Sequence, residues 1–278
     1  MIFDVFSYEY FIERSMNLDR NHFMLPEYSQ KQFNQVKKKL NIKKDLVKES
    51  SIKATVFTKQ EEIIATLFKY FNKITDKTYD KISSEIILLV SDSLSEKKKI
   101  CTTFFQVVLN NSIFCHLYAK LYKQFIQIDN NYDNVLSEQI ITYANEIKNI
   151  VYVSPNVDYD KYCDYTKKVE GVKNFTKFLI QCLEYHIIAD DLLLDIATTF
   201  QKYCLDNIEQ EDKLFLNEIY ISNVVIIIKY SYSIIHKNGK WKTFMENHSK
   251  LINTEGGGKN KKIYFKLLDI TELINNKS

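Results

Sequence analysis

The sequence predicts an all-α fold, a solenoid of about five antiparallel helix pairs. Three observations predict it. The 278 residues include only two prolines and five glycines, three of them in one run at 256–258, too few for the turns that sandwiches and barrels need. Apolar residues recur at helical spacing in segment after segment. Those segments start near 58, 96, 137, 190 and 240, a spacing of about 40 to 50 residues, which is the range of helical repeats.

The first helix has a marked start. Thr58 and Glu61 stand at capping-box spacing before Ile63, Ile64, Leu67, Phe68, Phe71 and Ile74. After a turn at Thr75 and Asp76, the residues Tyr79, Ile82, Ile86, Leu89 and Val90 keep the period, so a second helix returns along the first. Ser93 and Glu96 form another capping box before Ile100, Phe104, Val107 and Val108. Past Asn110 and Asn111, the residues Phe114, Leu117, Tyr118, Leu121 and Phe125 complete a second pair. A third unit begins near Ser137 with Ile140, Ile141, Ala144, Ile147 and Val151. It runs through a polar, tyrosine-rich connection around Pro155 to Val172, Phe175, Leu179 and Cys182. Leu193, Ile196, Ala197 and Phe200 lead into a long apolar helix near 214–236. Trp241, Phe244, Met245 and His248 open the last pair, closed by Ile263, Leu267, Leu268 and Ile274. Stacked pairs of this kind share one core and leave a ridge of inter-helix turns free for contact. Residues 1–57, basic and weakly periodic, are expected to be an N-terminal extension or cap to a domain over 58–278, and INTEGGGKNKK at 252–262 a mobile loop.

Composition narrows the class. At 45% hydrophobic residues the chain can bury a substantial core. Arginine occurs only as Arg14 and Arg20, against heavy use of Asn, Lys, Ile, Tyr and Phe, a bias of the kind an AT-rich genome produces. Net charge is +3 but uneven: residues 1–60 carry 11 basic and 7 acidic side chains, residues 61–235 carry 18 and 24, and residues 236–278 carry 9 and 4. The basic ends suit salt-sensitive contact with RNA phosphates, through Lys37, Lys38 and Lys39 and through Lys259, Lys261 and Lys262, although lysine runs also serve as solvated helix faces. Five dispersed cysteines with no C-x-x-C pair suggest reduced, buried thiols rather than disulfides or zinc. The N-terminus lacks a basic n-region and an apolar h-region, so the expected location is cytoplasmic. IYISNVVIIIKYSYSII at 219–235 is long and apolar, but Lys229 and several polar residues interrupt it, which favours a core helix over a membrane span.

Chemistry is sparse. EGGGKN at 255–260 lacks the spacing of a phosphate loop, with Asn260 where a Ser or Thr would bind metal. Asp190 and Asp191 open a helix, where the dipole explains two carboxylates. Cys115 and His116 are sequence neighbours, which a helix points apart. His22, His186, His236 and His248 show no metal spacing. No convergent acid/base set stands out, no catalytic, cofactor or metal residue is expected, and the expectation is a binding scaffold rather than an enzyme.

Several segments then resemble one family in order. IIATLFKYFNKITDKTYDKI (63–82) and VVLNNSIFCHLYAKLYKQFI (107–126) are similar to the first two repeats of the middle domain of eukaryotic translation initiation factor 4 gamma. GVKNFTKFLIQCLEYHIIADDLLLDIATTF (171–200) and KNKKIYFKLLDITELINN (259–276) resemble its later helices. The resemblance covers about 220 residues and implies a HEAT-type solenoid that binds and activates a DEAD-box RNA helicase of the initiation-factor-4A type, with mRNA nearby; the AT-rich residue usage and compact length would suit a divergent viral or protist version. It also implies helicase-contacting apolar residues at Phe71, Ile74 and Tyr79 of the first turn, at Phe114 in the second repeat and at Phe265 in the last helix.

The match has gaps. Lys261 and Lys262 stand where the family carries arginine, keeping charge without the guanidinium fork. YANEIKNIVYV only weakly matches the family's basic third repeat. The usual Tyr-x-x-x-x-Leu-hydrophobic docking motif for a cap-binding subunit is absent, the nearest being Tyr220 with Val225 and Ile226, so such a subunit would need another surface, such as residues 1–57. Two other readings stay open: an adaptor of the same fold in splicing, decay or nuclear cap binding, and a helical enzyme with an unrecognised pocket.

Overall fold

The computed structural model describes residues 59–276, together with positions 27, 29, 31, 32 and 35. The chain divides into two units, residues 1–56 and 57–278. The second is all-α, with ten α-helices and no strand among the described residues. They are α1 (Lys59–Phe71), α2 (Tyr79–Ser91), α3 (Lys97–Asn110), α4 (Cys115–Ile128), α5 (Asn131–Lys148), α6 (Tyr159–Glu184), α7 (Asp190–Asp206), α8 (Leu214–Ile235), α9 (Trp241–Asn253) and α10 (Lys261–Asn275).

The helices expected near 58, 96, 190 and 240 begin at Lys59, Lys97, Asp190 and Trp241. The one expected near Ser137 begins earlier, at Asn131, because Tyr132 and Leu136 add a buried turn. Thr58 lies outside the described residues. The Ser93–Glu96 capping box does not form. A 3-10 turn over Leu94–Glu96 intervenes, and the Ser93 hydroxyl is buried without a partner. Ile141 and Val151, which share the helical period, face solvent instead. Periodicity assigns a face, but only the neighbours decide how wide the buried stripe is.

The even-numbered helices form a continuous packing series, α2 on α4, α4 on α6, α6 on α8 and α8 on α10. Among the odd-numbered ones α1 packs on α3, α3 on α5, and α7 on α9. The long α6 also touches α3 and α7. An aromatic core joins α1, α3, α4, α5 and α6. Phe104 meets Phe71 edge-on at 5.3 Å and Phe178 at 6.0 Å, and Phe105 meets Phe175 at 6.0 Å. Edge-to-face pairs of this kind add about 0.5–1.5 kcal/mol each beyond area burial.

Buried polar groups fix the register. The Tyr143 hydroxyl bonds Thr176 Oγ1 at 2.7 Å, Thr176 donates to Asn223 Oδ1 at 2.7 Å, and Asn223 Nδ2 donates to the Ile219 carbonyl at 2.8 Å. This chain ties α5, α6 and α8 together in one hydrogen-bonded relay. Helix α8 is long and apolar enough by composition to cross a bilayer. It packs here against α6, α7 and α10 and buries Asn217, Asn223 and Ser231 among its apolar residues. Helix α6 ends in a Schellman motif: the Ile187 N–H donates to the Cys182 carbonyl at 2.8 Å and the His186 N–H to the Leu183 carbonyl at 2.9 Å. His186 occupies the left-handed position usual for glycine, with φ 56°.

The glycine-rich segment before α10 is held rather than loose. The Gly258 N–H donates to the Ile208 carbonyl at 2.8 Å, and Asn217 Nδ2 donates to the Gly258 carbonyl at 2.9 Å. A Cβ on Gly256 would lie 2.2 Å from the Ile208 oxygen, and one on Gly258 2.4 Å from the Asn207 oxygen. The glycines let this strand of backbone lie against the α7–α8 connection, which corrects the expectation of a mobile loop.

Candidate docking surface

The turn after α1 is built by its own polar side chains. Thr78 Oγ1 accepts from the Thr75 N–H at 3.0 Å and donates to the Lys73 carbonyl at 2.6 Å, while Asn72 Nδ2 donates to the Phe68 carbonyl at 2.8 Å. With the polar groups forming the outside of the turn, the apolar ones point inward. Phe71 and Ile74 are buried, Phe71 between Phe104 and Phe125. Tyr79 is buried too, with Lys120 Nζ 4.4 Å from its ring centroid, and burial pushes its phenol pKa up. These three residues are core, not docking anchors. Their helical spacing fitted both roles, and closure of the hairpin on α3 and α4 selected the core.

Phe114 is the N-cap residue of α4, half-buried and packed on the core. Its neighbour Ile113, which sequence reasoning passed over, is 77% exposed. No periodic signal marks Ile113, since it lies in a turn outside either helix.

Phe265 is different. It is 59% exposed on α10, beside Tyr264 at a centroid distance of 6.1 Å, with Leu268 also exposed. The buried stripe of α10 is Ile263, Leu267, Ile270 and Ile274. Tyr264, Phe265 and Leu268 thus form a second apolar stripe, with exposed Lys261 one turn before Phe265. Phe114 and Phe265 are not brought together: the packing series places α6 and α8 between their helices.

The lysines separate by environment. Lys37, Lys38 and Lys39 lie outside the described residues. Lys259 turns inward, where its ammonium donates to the carbonyls of Leu251 and Ile252 at 2.8 Å and of Thr254 at 2.7 Å. It caps the end of α9, and desolvation lowers its pKa. That corrects its assignment as an RNA contact. Lys262 reaches Glu218 at 2.5 Å from an exposed position, and Lys266 donates to Ser222 at 2.6 Å beside the same carboxylate. The two lysines hold Glu218 below the usual carboxylate range against its own desolvation.

Nothing described converges as a reactive set. Burial pushes the thiols of Cys101 and Cys115 up to about 12 and about 11, leaving both protonated at neutral pH. His116 Nε2 meets Asp76 Oδ1 at 3.0 Å, and Cys115 Sγ faces the Asn174 carbonyl. Asp190 and Asp191 sit in the first turn of α7 and both accept from Asn238 Nδ2, while Lys240 pairs with Asp195 at 2.6 Å. They fasten the turn before α9. Tyr220, nearest to a cap-binding-subunit motif, is buried. Among the described residues no three His, Cys, Asp or Glu side chains group as a metal site would need.

The fold and surface define an all-helical protein with an exposed aromatic stripe on its last described helix. The sequence matches no protein-family model and no curated protein.

Proposed function

We propose that the ten helices form a HEAT-type array of about five antiparallel pairs that acts as a translation-initiation scaffold, binding and activating a DEAD-box RNA helicase of the initiation-factor-4A type. The array reading is supported by the unbroken series α2–α4–α6–α8–α10 with odd-numbered helices paired beside it. The observation that carries the docking reading is Phe265, an aromatic side chain 59% exposed beside Tyr264 and Leu268. A stripe of this composition suits a hot spot more than it suits solvent. The resemblance of residues 259–276 to the closing helix of the initiation-factor domain gives the partner its identity. Of Lys259, Lys261 and Lys262, the last two remain at the surface for auxiliary contact with mRNA, Lys262 while paired with Glu218.

The test is RNA-dependent ATP turnover by a factor-4A-type helicase in the presence of the intact chain. Stimulation is expected, and Phe265→Ala with Leu268→Ala should abolish it while circular dichroism shows the variant still folded, because neither side chain belongs to the buried stripe of the helix. Stimulation that survives in that variant moves the docking surface away from α10. No stimulation by the intact chain removes the helicase from this reading.

A further inference from the structure

We propose that a groove crossing α4, α6 and α8 is a docking site for an acidic peptide segment of a partner protein, with a bulky apolar side chain between its carboxylates. This inference does not rest on the helicase reading and uses none of its residues.

The groove has a volume of about 460 Å³ and is lined by Ile113, Ile180 and Tyr230 together with Ser112, His116 and Lys177. Two of the apolar residues are unusually open for their type. Ile113, in the turn before α4, is 77% exposed and Tyr230, on α8, is 53% exposed, with α6 packed between α4 and α8. An Ile and a Tyr facing one concavity offer a place for one aliphatic or aromatic side chain to leave water.

Charge decides what should flank that side chain. Among the described residues no carboxylate lines the groove. His116 already has Asp76 at 3.0 Å. The half-buried Lys177 has only the Ser112 hydroxyl, 3.2 Å from its ammonium, and no carboxylate within 4 Å among the described residues. A partly desolvated cation without a counter-charge is the complement of an incoming Asp or Glu. The N-terminus of α4 opens here with no side-chain cap on it, which adds to the positive potential.

A peptide fits better than nucleic acid. Binding of a phosphate backbone draws on several cations in series, and this groove offers one that lacks a counter-charge. Ile113, Ile180 and Tyr230 give the groove an apolar wall, which matches a side chain more than a polyanion.

The test selects random 16-residue peptides displayed on phage against the full chain, then measures binding of the enriched peptide, fluorescently labelled, by anisotropy. The expected consensus has two or more Asp or Glu around one bulky apolar residue. Affinity should fall about tenfold or more in Lys177→Glu and in Ile113→Ser, and should weaken as salt rises. Ile113 is exposed and Lys177 half-buried, so circular dichroism should show both variants folded, and Lys261→Glu on α10 should bind as the parent does. The proposal is overturned by failure to enrich any peptide, by a neutral or basic consensus, or by variants that bind like the parent. It is also overturned if a labelled 12-nucleotide oligouridylate binds the chain and loses binding in Lys177→Glu, since the groove would then serve RNA.

Discussion

Replacing Gly258 by alanine should destabilise the chain by about 3–5 kcal/mol, the sum of a steric and a hydrogen-bonding loss. The new Cβ would lie 2.4 Å from the Asn207 oxygen and 2.9 Å from both the Gln210 oxygen and Asn217 Nδ2. Two of these three atoms are backbone and cannot swing aside, so the segment must lift by about 1 Å to reach ordinary contact. Lifting stretches the Gly258 N–H bond to Ile208 and the Asn217 bond to Gly258, now 2.8 and 2.9 Å. Each is worth about 1 kcal/mol, and overpacking adds about 1–3 kcal/mol. Urea unfolding at pH 7 measures this by far-UV circular dichroism and by fluorescence of the single tryptophan, Trp241, which stacks on Phe244 at 4.8 Å and so reports on α9. Gly256→Ala should cost a similar amount. Gly239→Ala is the control, since nothing lies within 4 Å of its Cβ. If Gly258→Ala and Gly256→Ala both unfold within about 0.5 kcal/mol of Gly239→Ala, the segment is not held as described.

Two further expectations concern histidines. His248 is buried with Nε2 on the Thr271 hydroxyl at 3.0 Å, and desolvation lowers its pKa to about 4. A folded pKa below the unfolded value of about 6.5 means the unfolded chain takes up a proton first, so stability should fall as pH drops from about 6.5 towards 4. Between pH 7 and 5 the loss should be about 1–2 kcal/mol, and His248→Gln should flatten the urea midpoint over that range; an unchanged slope refutes the burial argument. His186 holds φ 56° at the end of α6, so His186→Gly should raise stability by about 0.5–1 kcal/mol, seen as a higher thermal midpoint, and a lower midpoint would show that the imidazole contributes more than the backbone strain costs.

Much of the fold was legible because it is set by local pattern. Scarce glycine and proline, recurrent apolar spacing and polar turns specify helices whatever their neighbours do. Helix starts at Lys59, Lys97, Asp190 and Trp241 followed from that. The start of α5 was misread because Tyr132 and Leu136 are apolar residues in a polar stretch, and burial, not propensity, recruits them.

The candidate surface was less legible, because exposure is a property of pairs of elements. Phe71, Ile74 and Tyr79 carry the same period as Phe265. The first three meet α3 and α4, while among the described residues nothing covers Phe265, which is more than half exposed. Ile113 carried no signal at all, since a single apolar residue in a turn has no period. Lysine offers the same lesson. Lys259 and Lys261 are two residues apart and chemically identical, yet one caps three carbonyls and the other faces water.

The sequence by itself determined that this chain is helical, where most of its helices run, and that three of its five glycines fall in one run. Tertiary structure alone decided that this run is clamped against Ile208, which aromatic side chains are core, and that Lys177 faces a groove lined by no carboxylate among the described residues. The reason is one of range. Helix formation is governed by residues within four positions, whereas burial, close backbone approach and charge pairing depend on which distant segments arrive at the same place.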